Sequence, residues 1–161
     1  MFCFGKTVYA CSNELVILSS IASNPANRGH LALIVKKNGK RSWTNYFRLL
    51  AEAQGERMSL FIEGPYGVSN AHMVWSDIDA VVFSCGGVGG TPIIPFLYEM
   101  ALDANKKYPR LQRVYVLWSG RNNCDQLWDQ FGMHGDNLWE LLERDTEKFR
   151  VSFFDTGRYK Y

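Results

Sequence analysis

An apolar run that breaks into glycines constrains this chain more than any other feature of its sequence. Five residues typical of a buried strand, Val81-Val82-Phe83-Ser84-Cys85, are followed at once by Gly86-Gly87-Val88-Gly89-Gly90-Thr91-Pro92. The pattern predicts a strand, a tight loop and a helix start, with Thr91 as the N-cap and Pro92 at the first helical position. Such a junction directs backbone N–H groups and the positive end of a helix dipole toward one point, where a phosphate can bind. A glycine-rich turn that binds no ligand is the alternative interpretation.

The glycine spacing differs from that of the common dinucleotide-binding fingerprint. Pro92 stands where the last glycine of that fingerprint would be, and no acidic residue stands where a ribose 2′-hydroxyl would be bound. A standard Rossmann dehydrogenase is therefore disfavoured, while the phosphate-binding interpretation of the loop stays open.

Charge and cysteine content narrow the class of partner. The 161 residues suit one domain or two small half-domains, and they carry a formal net charge of +2 with both signs interspersed. No basic patch argues for nucleic acid or an anionic membrane surface, so we expect a small-molecule partner and no nucleic acid. The cysteines lack paired or zinc-type spacing, which indicates a reducing compartment and predicts no metal site. They are Cys3, Cys11, Cys85 and Cys124.

The uncharged stretch from Ala80 to Tyr98 is long enough to raise the question of a membrane span. Its glycine pairs and prolines argue against one, because a lipid-exposed helix broken in this way leaves backbone groups unpaired in hydrocarbon. The first residues, Met1 to Tyr9, contain one basic residue and no convincing cleavage site, so a signal peptide is a poor fit. We predict no transmembrane segment and a cytoplasmic location for this chain alone.

Two stretches of different character follow one another along the chain. Residues up to about Gly67 have the short extended runs and turn-forming residues of a small β structure, with a helix opened by Ser42-Trp43-Thr44. The predicted strands are Leu15–Leu18, His30–Lys37 and Met58–Ile62, and Gly64-Pro65-Tyr66-Gly67 is predicted to form a turn. A boundary is predicted between Val68 and Asp77.

Beyond that boundary, strands alternate with helices. The predicted elements are strands Ala80–Ser84, Arg113–Trp118 and Phe149–Phe154, and helices Pro92–Ala104, Cys124–Phe131 and Leu138–Lys148. Alternation of this kind implies a mostly parallel sheet with helices on its faces. Ligands of such sheets bind at the carboxyl ends of the strands, where the glycine loop and Ser119-Gly120-Arg121 are both expected.

Taken together, these motifs resemble the FAD- and NADPH-binding module of the ferric reductase and NADPH oxidase family, within the ferredoxin reductase-like group. The resemblance extends over roughly residues 20–157. It implies a partial antiparallel β-barrel for FAD in residues 1–67, followed by an α/β NADPH-binding half with a parallel sheet in residues 78–161. The family's first barrel strands and its later cysteine-glycine-proline segment have no counterpart here, so we expect a module truncated at both ends.

The resemblance implies a set of NADPH-binding residues at the glycine loop and at the end of the next strand. They are Gly86, Gly87, Val88, Gly89, Thr91, Pro92, Ser119 and Arg121. The Arg121 guanidinium is suited to paired charged hydrogen bonds with a ribose 2′-phosphate, which favours NADPH over NADH. An ordinary surface arginine is the alternative for Arg121.

The FAD-binding residues implied by the resemblance lie in the first stretch. They are Ser20, Ser23, Gly39, Trp43 and Thr44, together with the linker turn formed by Gly64, Pro65, Tyr66 and Gly67. Where the family has histidine, proline and an aromatic residue before the serines, this chain has Ile17-Leu18-Ser19. The expected ring contact with the flavin is therefore missing, and the serines are equally suited to a simple turn.

The function implied by the resemblance is hydride transfer from NADPH to FAD. Electrons then pass to haem in a membrane domain absent from this chain, and on to ferric ion or oxygen, with the parent protein at the cytosolic face of a membrane. No side chain is needed as an acid or base, so no catalytic residue is assigned. The alternative is a non-catalytic NADPH-binding or regulatory remnant that cannot hold FAD and pairs with an intact reductase. An unrelated α/β protein that binds another phosphate ligand is a third interpretation.

Overall fold

The computed structural model describes residues 7–12, 15–20, 32–36, 39–54, 61–66, 75–102, 107–121 and 138–157. The first part of the chain contains β1 (Thr7–Ser12), β2 (Leu15–Ser20), α1 (Trp43–Gln54) and β3 (Phe61–Tyr66). A 3₁₀ turn at Trp75–Asp77 precedes the second part, which contains β4 (Ala80–Gly86), a 3₁₀ helix (Gly87–Ile93), α2 (Ile94–Leu102), β5 (Arg113–Gly120), α3 (Leu138–Glu143) and β6 (Phe149–Asp155).

The second part is built on a parallel sheet whose strand order, β4-β5-β6, follows the chain. Val81 pairs in register with Val114, and Val114 pairs with Phe149. The helix α2 lies in the connection from β4 to β5, and α3 lies in the connection from β5 to β6. These crossovers confirm the predicted α/β half with a parallel sheet.

One face of the parallel sheet forms the core of the described residues. Alternate positions of each strand point to this face, where α2 and α3 cover them. Its most deeply buried members are Ile94, Leu97, Met100, Val114, Val116, Trp118 and Leu138. The positions between them, such as Val82, Leu117 and Phe154, are exposed. Within the described residues, the parallel sheet therefore has one face covered by helices and one face exposed.

The first part contains a three-stranded antiparallel sheet in the order β2-β1-β3. Strand β1 was not predicted from the sequence, whereas β2 agrees with the predicted strand at Leu15–Leu18. These three strands do not by themselves show the predicted barrel. The proposed division at residues 67 and 78 also stays a prediction.

The predicted turn at Gly64-Pro65-Tyr66 is wrong, because these residues belong to β3. Thr7 of β1 pairs with Tyr66 of β3, and Tyr9 of β1 pairs with Glu63 of β3. An advance of two residues along β1 therefore corresponds to three residues along β3. The extra residue is a β-bulge, which is a position that tolerates a proline without a backbone donor. Gly64 and Pro65 therefore indicate a β-bulge and not a turn. Gly67 lies outside the described residues.

Two other predicted elements, a strand and a helix, have different bounds in the structure. In the described part of the strand predicted at His30–Lys37, residues 32–36 have only an isolated bridge at Leu33, while Ala32 and Ile34 pack against the core. The helix predicted over Leu138–Lys148 ends at Glu143, because Asp145 starts a turn in which its carboxylate accepts the Lys148 N–H at 3.0 Å. The helix predicted at 124–131 lies outside the described residues.

None of the helices in the described ranges is both long and apolar enough to cross a bilayer.

Candidate functional site

The carboxyl ends of the three parallel strands meet at one edge of the sheet. Gly86 at the end of β4 pairs with Ser119 of β5, and Ser119 pairs with Phe154 near the end of β6. Arg121 follows β5 directly and is exposed. The structure therefore brings the start of the glycine loop together with Ser119 and Arg121, as the sequence predicts.

The glycine loop is a 3₁₀ helix that starts without any connecting residue after β4. Gly86 is its N-cap in an extended conformation, and Gly87 has a φ of +50°, a region that side-chain-bearing residues rarely adopt. This reversal at Gly87 turns the chain from strand to helix in one step. Gly86 has no side chain to cap the helix. The first backbone N–H groups of a helix with such a start can donate hydrogen bonds to an anion.

Thr91 and Pro92 do not start the helix as predicted, while their role in binding NADPH stays a prediction. The helix begins at Gly87 rather than at Pro92, and Pro92 lies inside its 3₁₀ part. Thr91 is buried, and its hydroxyl donates to the Val88 carbonyl at 2.6 Å instead of capping a helix N–H. The prediction of Thr91 as N-cap is wrong, because four glycines allow the helix to start five residues earlier. The Thr91 hydroxyl holds the loop together.

Ser119 ties the ends of β4 and β5 to each other. Its hydroxyl donates to the Cys85 carbonyl at 3.2 Å. A Cβ added to Gly86 would lie 3.3 Å from the same hydroxyl oxygen, so the serine also packs closely against the loop start. The hydroxyl oxygen keeps acceptor capacity, while its proton is used within the protein.

Two polar residues at the end of β6 also lie at this edge, and sequence reasoning missed them. Thr156 donates to the Gly120 carbonyl from its backbone N–H, at 2.7 Å, and from its hydroxyl, at 3.0 Å. The Asp155 carboxylate accepts the Gly157 N–H at 2.8 Å. The available signal was the position of Asp155-Thr156-Gly157 directly after a third buried strand, since parallel strands end at a shared edge.

A second group of predicted residues lies at the start of α1. Ser42 is the N-cap of this helix, because its hydroxyl accepts the Asn45 N–H at 3.2 Å. The hydroxyls of Ser42 and Thr44 lie 3.0 Å apart and form a hydrogen bond, and Trp43 stacks on Phe47 with ring centroids 5.3 Å apart. The predicted opening of a helix at Ser42 is confirmed.

The approach to α1 is a tight turn with open space beside it. The Ser42 N–H donates to the Gly39 carbonyl at 3.0 Å, and the Asn45 side chain donates to the Lys40 carbonyl at 2.9 Å. Within the described ranges, no atom lies within 4 Å of a Cβ added to Gly39, and both Lys40 and Arg41 are exposed. An anionic group can therefore approach this turn and meet two cations and a helix start.

The remaining predicted residues lie in the antiparallel sheet. Ser20 ends β2 and Tyr66 ends β3, and both pair with Thr7 of β1. The structure thus brings Ser20 and Tyr66 to the same end of that sheet, with Gly64 and Pro65 in the bulge beside them. Ser23 lies outside the described residues.

Among the described residues, burial shifts the pKa of two side chains, and neither adjoins the carboxyl edge. Burial and the Glu99 carboxylate raise the pKa of Tyr108, whose hydroxyl donates to Glu99 at 2.9 Å. Burial lowers the pKa of Lys148, an effect opposed by Asp145. Tyr108 precedes β5 and Lys148 precedes β6, so both lie toward the amino ends of the strands.

Two curated relatives from Arabidopsis thaliana are similar to part of this chain. Ferric reduction oxidase 2 is 30% identical over 95 residues, which is 59% of this chain and 13% of the relative. Ferric reduction oxidase 5 is 24% identical over 104 residues, which is 65% of this chain and 14% of the relative. The chain therefore spans about one seventh of the length of these relatives.

Solved structures share the fold over nearly the whole chain. A mutant ferredoxin-NADP+ reductase from Plasmodium falciparum in complex with 2′P-AMP superposes with a TM-score of 0.65 at 15% identity, and the match covers 99% of this chain and 61% of that one. Flavohemoglobin from Malassezia yamatoensis gives a TM-score of 0.59 at 21% identity, covering 96% of this chain and 38% of that one. At these identities the likeness shows a ferredoxin reductase-like fold.

The family assignment rests on the part of the chain that contains the parallel sheet. Residues 78–161, just over half of the chain, match the family described as the ferric reductase NAD-binding domain. This match starts two residues before β4 and includes the glycine loop, Ser119 and Arg121. The chain therefore belongs to the ferric reductase NAD-binding domain family, a family of NAD(P)H-linked oxidoreductases.

Proposed function

We propose that this chain binds NADPH at the carboxyl edge of its parallel sheet and directs hydride transfer from NADPH to FAD. The observation that carries the proposal is the meeting of three features at that edge: the glycine-started helix at Gly87, the Ser119 hydroxyl and the exposed Arg121 guanidinium. Backbone donors and a guanidinium are the groups that bind a pyrophosphate and a 2′-phosphate.

Each part of the edge has its own task in this proposal. The backbone N–H groups that follow Gly86 bind the pyrophosphate, and the close approach of the ligand depends on the glycines. Arg121 binds the 2′-phosphate and selects NADPH over NADH. Ser119 keeps the ends of β4 and β5 together through its bond to the Cys85 carbonyl. The proposal is supported by a structural neighbour described as a complex with 2′P-AMP.

The start of α1 and the adjoining antiparallel sheet are the proposed FAD site. The exposed Lys40 and Arg41, with the open space at Gly39, suit the FAD pyrophosphate, while Trp43 and Thr44 lie in the first turn of the helix. Ser20 and Tyr66, which share an end of the antiparallel sheet, are the proposed flavin-side residues, and Ser23 and Gly67 are proposed with them. FAD, when bound, supplies the acceptor for the hydride.

The route of electrons after FAD is proposed from the family. We propose transfer to haem in a membrane domain of the parent protein, and from there to ferric ion or oxygen. This places the parent's NADPH-binding half at the cytosolic face of a membrane. The chain covers about one seventh of the length of the curated ferric reduction oxidases, so these steps are proposed for a longer parent protein.

The second candidate function is NADPH binding without flavin chemistry. It is favoured by the start of α1, where the Ser42 hydroxyl already accepts the Asn45 N–H and bonds to the Thr44 hydroxyl. Groups that would bind FAD are thus partly used within the protein. On this view the chain binds NADPH and associates with an intact reductase.

The experiment that separates the two functions is a visible absorption spectrum of the purified chain after incubation with FAD and gel filtration. Flavin bands that stay with the protein and bleach when NADPH is added support hydride transfer. Loss of the flavin, with NADPH binding retained in calorimetry, supports the second function. Failure to bind NADPH or 2′P-AMP under any condition contradicts both.

A further inference from the structure

Trp118 lies directly beneath the glycine loop. It is fully buried in β5, where it pairs with Cys85 and Phe153. A Cβ added to Gly90 would lie 2.2 Å from Cζ2 and Cη2 of the indole and 2.6 Å from Cε2. These distances are far below van der Waals contact, so only glycine at position 90 fits against the ring in its present place.

This contact determines how far the loop stands from the sheet. Gly90 is the fourth residue of the 3₁₀ helix, and the Thr91 hydroxyl bonds back to the Val88 carbonyl one turn earlier. The residues from 88 to 91 are therefore held as a unit that rests on the indole. A change at the ring or at Gly90 displaces that unit, because a close-packed interior transmits a change in volume.

We propose that Trp118 is a positioning residue for the coenzyme: it acts through Gly90 to hold the loop where its backbone donors meet the pyrophosphate. This inference rests on the proposed binding of NADPH at the carboxyl edge. Trp118 itself need not touch the coenzyme. Its neighbour Ser119 points to the opposite face of the sheet. At the end of β5, Trp118 therefore supports the glycine loop on one face, while on the other face Ser119 links the ends of β4 and β5.

A pair of substitutions with opposite effects on volume tests the contact. Gly90→Ala adds a methyl group that clashes with the indole and must displace it or the loop. Trp118→Phe replaces the indole with a smaller side chain and so removes atoms on which Gly90 rests. We expect each variant to weaken NADP+ binding about tenfold, which is the scale of one or two hydrogen bonds. In the double variant the methyl group occupies the space left by the smaller ring, so we expect affinity within about threefold of the original.

Comparison with adenosine 2′-monophosphate separates positioning of the loop from general damage. This fragment has the 2′-phosphate for Arg121 but has no 5′-phosphate for the loop donors, so its affinity is expected to stay within about twofold in every variant. Val116→Ala is the matched control. Val116 lies on the same face of β5, two residues before Trp118, and is equally buried. It is expected to lower thermal stability without changing the ratio of the two affinities.

Hydrogen exchange of the amides in residues 87–93 provides a readout that needs no coenzyme. The positioning role of Trp118 predicts faster exchange in both single variants, slow exchange restored in the double variant and no change in Val116→Ala. This pattern supports the role even if NADP+ binding proves undetectable. Undetectable NADP+ binding would contradict the proposed function but not the role of Trp118. Unchanged loop exchange in the single variants overturns the positioning role, and so does an equal loss of affinity for NADP+ and for adenosine 2′-monophosphate.

Discussion

The two helix starts proposed to meet anionic groups are built in opposite ways. At α1, side chains satisfy the helix: Ser42 accepts the Asn45 N–H, and Thr44 bonds to Ser42. At the glycine loop the N-cap is Gly86, which has no side chain to offer. The glycine loop therefore has no side-chain cap at its N-cap residue, whereas α1 has one. We therefore expect NADPH binding at the glycine loop to depend on the backbone geometry of that loop, and FAD retention to depend on side chains at the start of α1.

Replacing Gly87 with valine should break the glycine loop and produce the largest effect. A β-branched residue at a φ of +50° is strained by roughly 1–3 kcal/mol, and relief of that strain moves the donors away from the pyrophosphate. We expect the Kd for NADPH, measured by calorimetry, to rise about 100-fold. Gly39→Val, in the turn before α1, should reduce FAD retention while changing the NADPH Kd far less. Equal losses of NADPH affinity in both variants would remove the distinction between the two helix starts.

Removing the guanidinium of Arg121 should have the next largest effect. Arg121→Ala removes the charged hydrogen bonds proposed for the 2′-phosphate, so the Kd for 2′P-AMP should rise about tenfold while the affinity for NADH stays unchanged. Arg41→Ala is the matched control, since it removes an exposed arginine beside the other helix start. If Arg41→Ala weakens 2′P-AMP binding and Arg121→Ala does not, the assignment of the two anionic groups must be exchanged.

Removing the cap of α1 should mainly affect stability. Ser42→Ala removes the hydroxyl that accepts the Asn45 N–H, while the bond from this N–H to the Ser42 carbonyl at 3.1 Å remains. The change is expected to lower the free energy of unfolding by about 1 kcal/mol in urea titration. Ser42→Asp keeps an acceptor at the cap and should restore most of that loss. NADPH affinity should be the same in both variants. An unchanged unfolding free energy in Ser42→Ala would show that α1 does not depend on this cap.

The sequence predicted the parallel sheet and the edge where its strands end, because buried strands and glycine loops have strong local patterns. Gly86, Ser119 and Arg121 were placed correctly since each follows or ends such a strand. The contact between Trp118 and Gly90 could not be predicted, because it joins residues far apart in the chain. Strand β1 was missed although local signals were present: Thr7, Val8 and Tyr9 are residue types that favour strands, and Ser12 pairs with the nearby Leu15 of β2. Only its pairing with β3 is long-range.

Thr91 marks the clearest limit of local reasoning, and it leads to the last prediction, a small change in NADPH binding. A threonine before a proline is typical of an N-cap, but here the hydroxyl donates to Val88 inside the loop. Thr91→Val should therefore lower the free energy of unfolding by about 1 kcal/mol, the net value of one hydrogen bond, and raise the NADPH Kd less than threefold. Thr91→Ser keeps the hydroxyl and should restore stability. A tenfold loss of NADPH affinity in Thr91→Val with unchanged stability would instead place the hydroxyl on the coenzyme, and side chains would then contribute to binding at both helix starts.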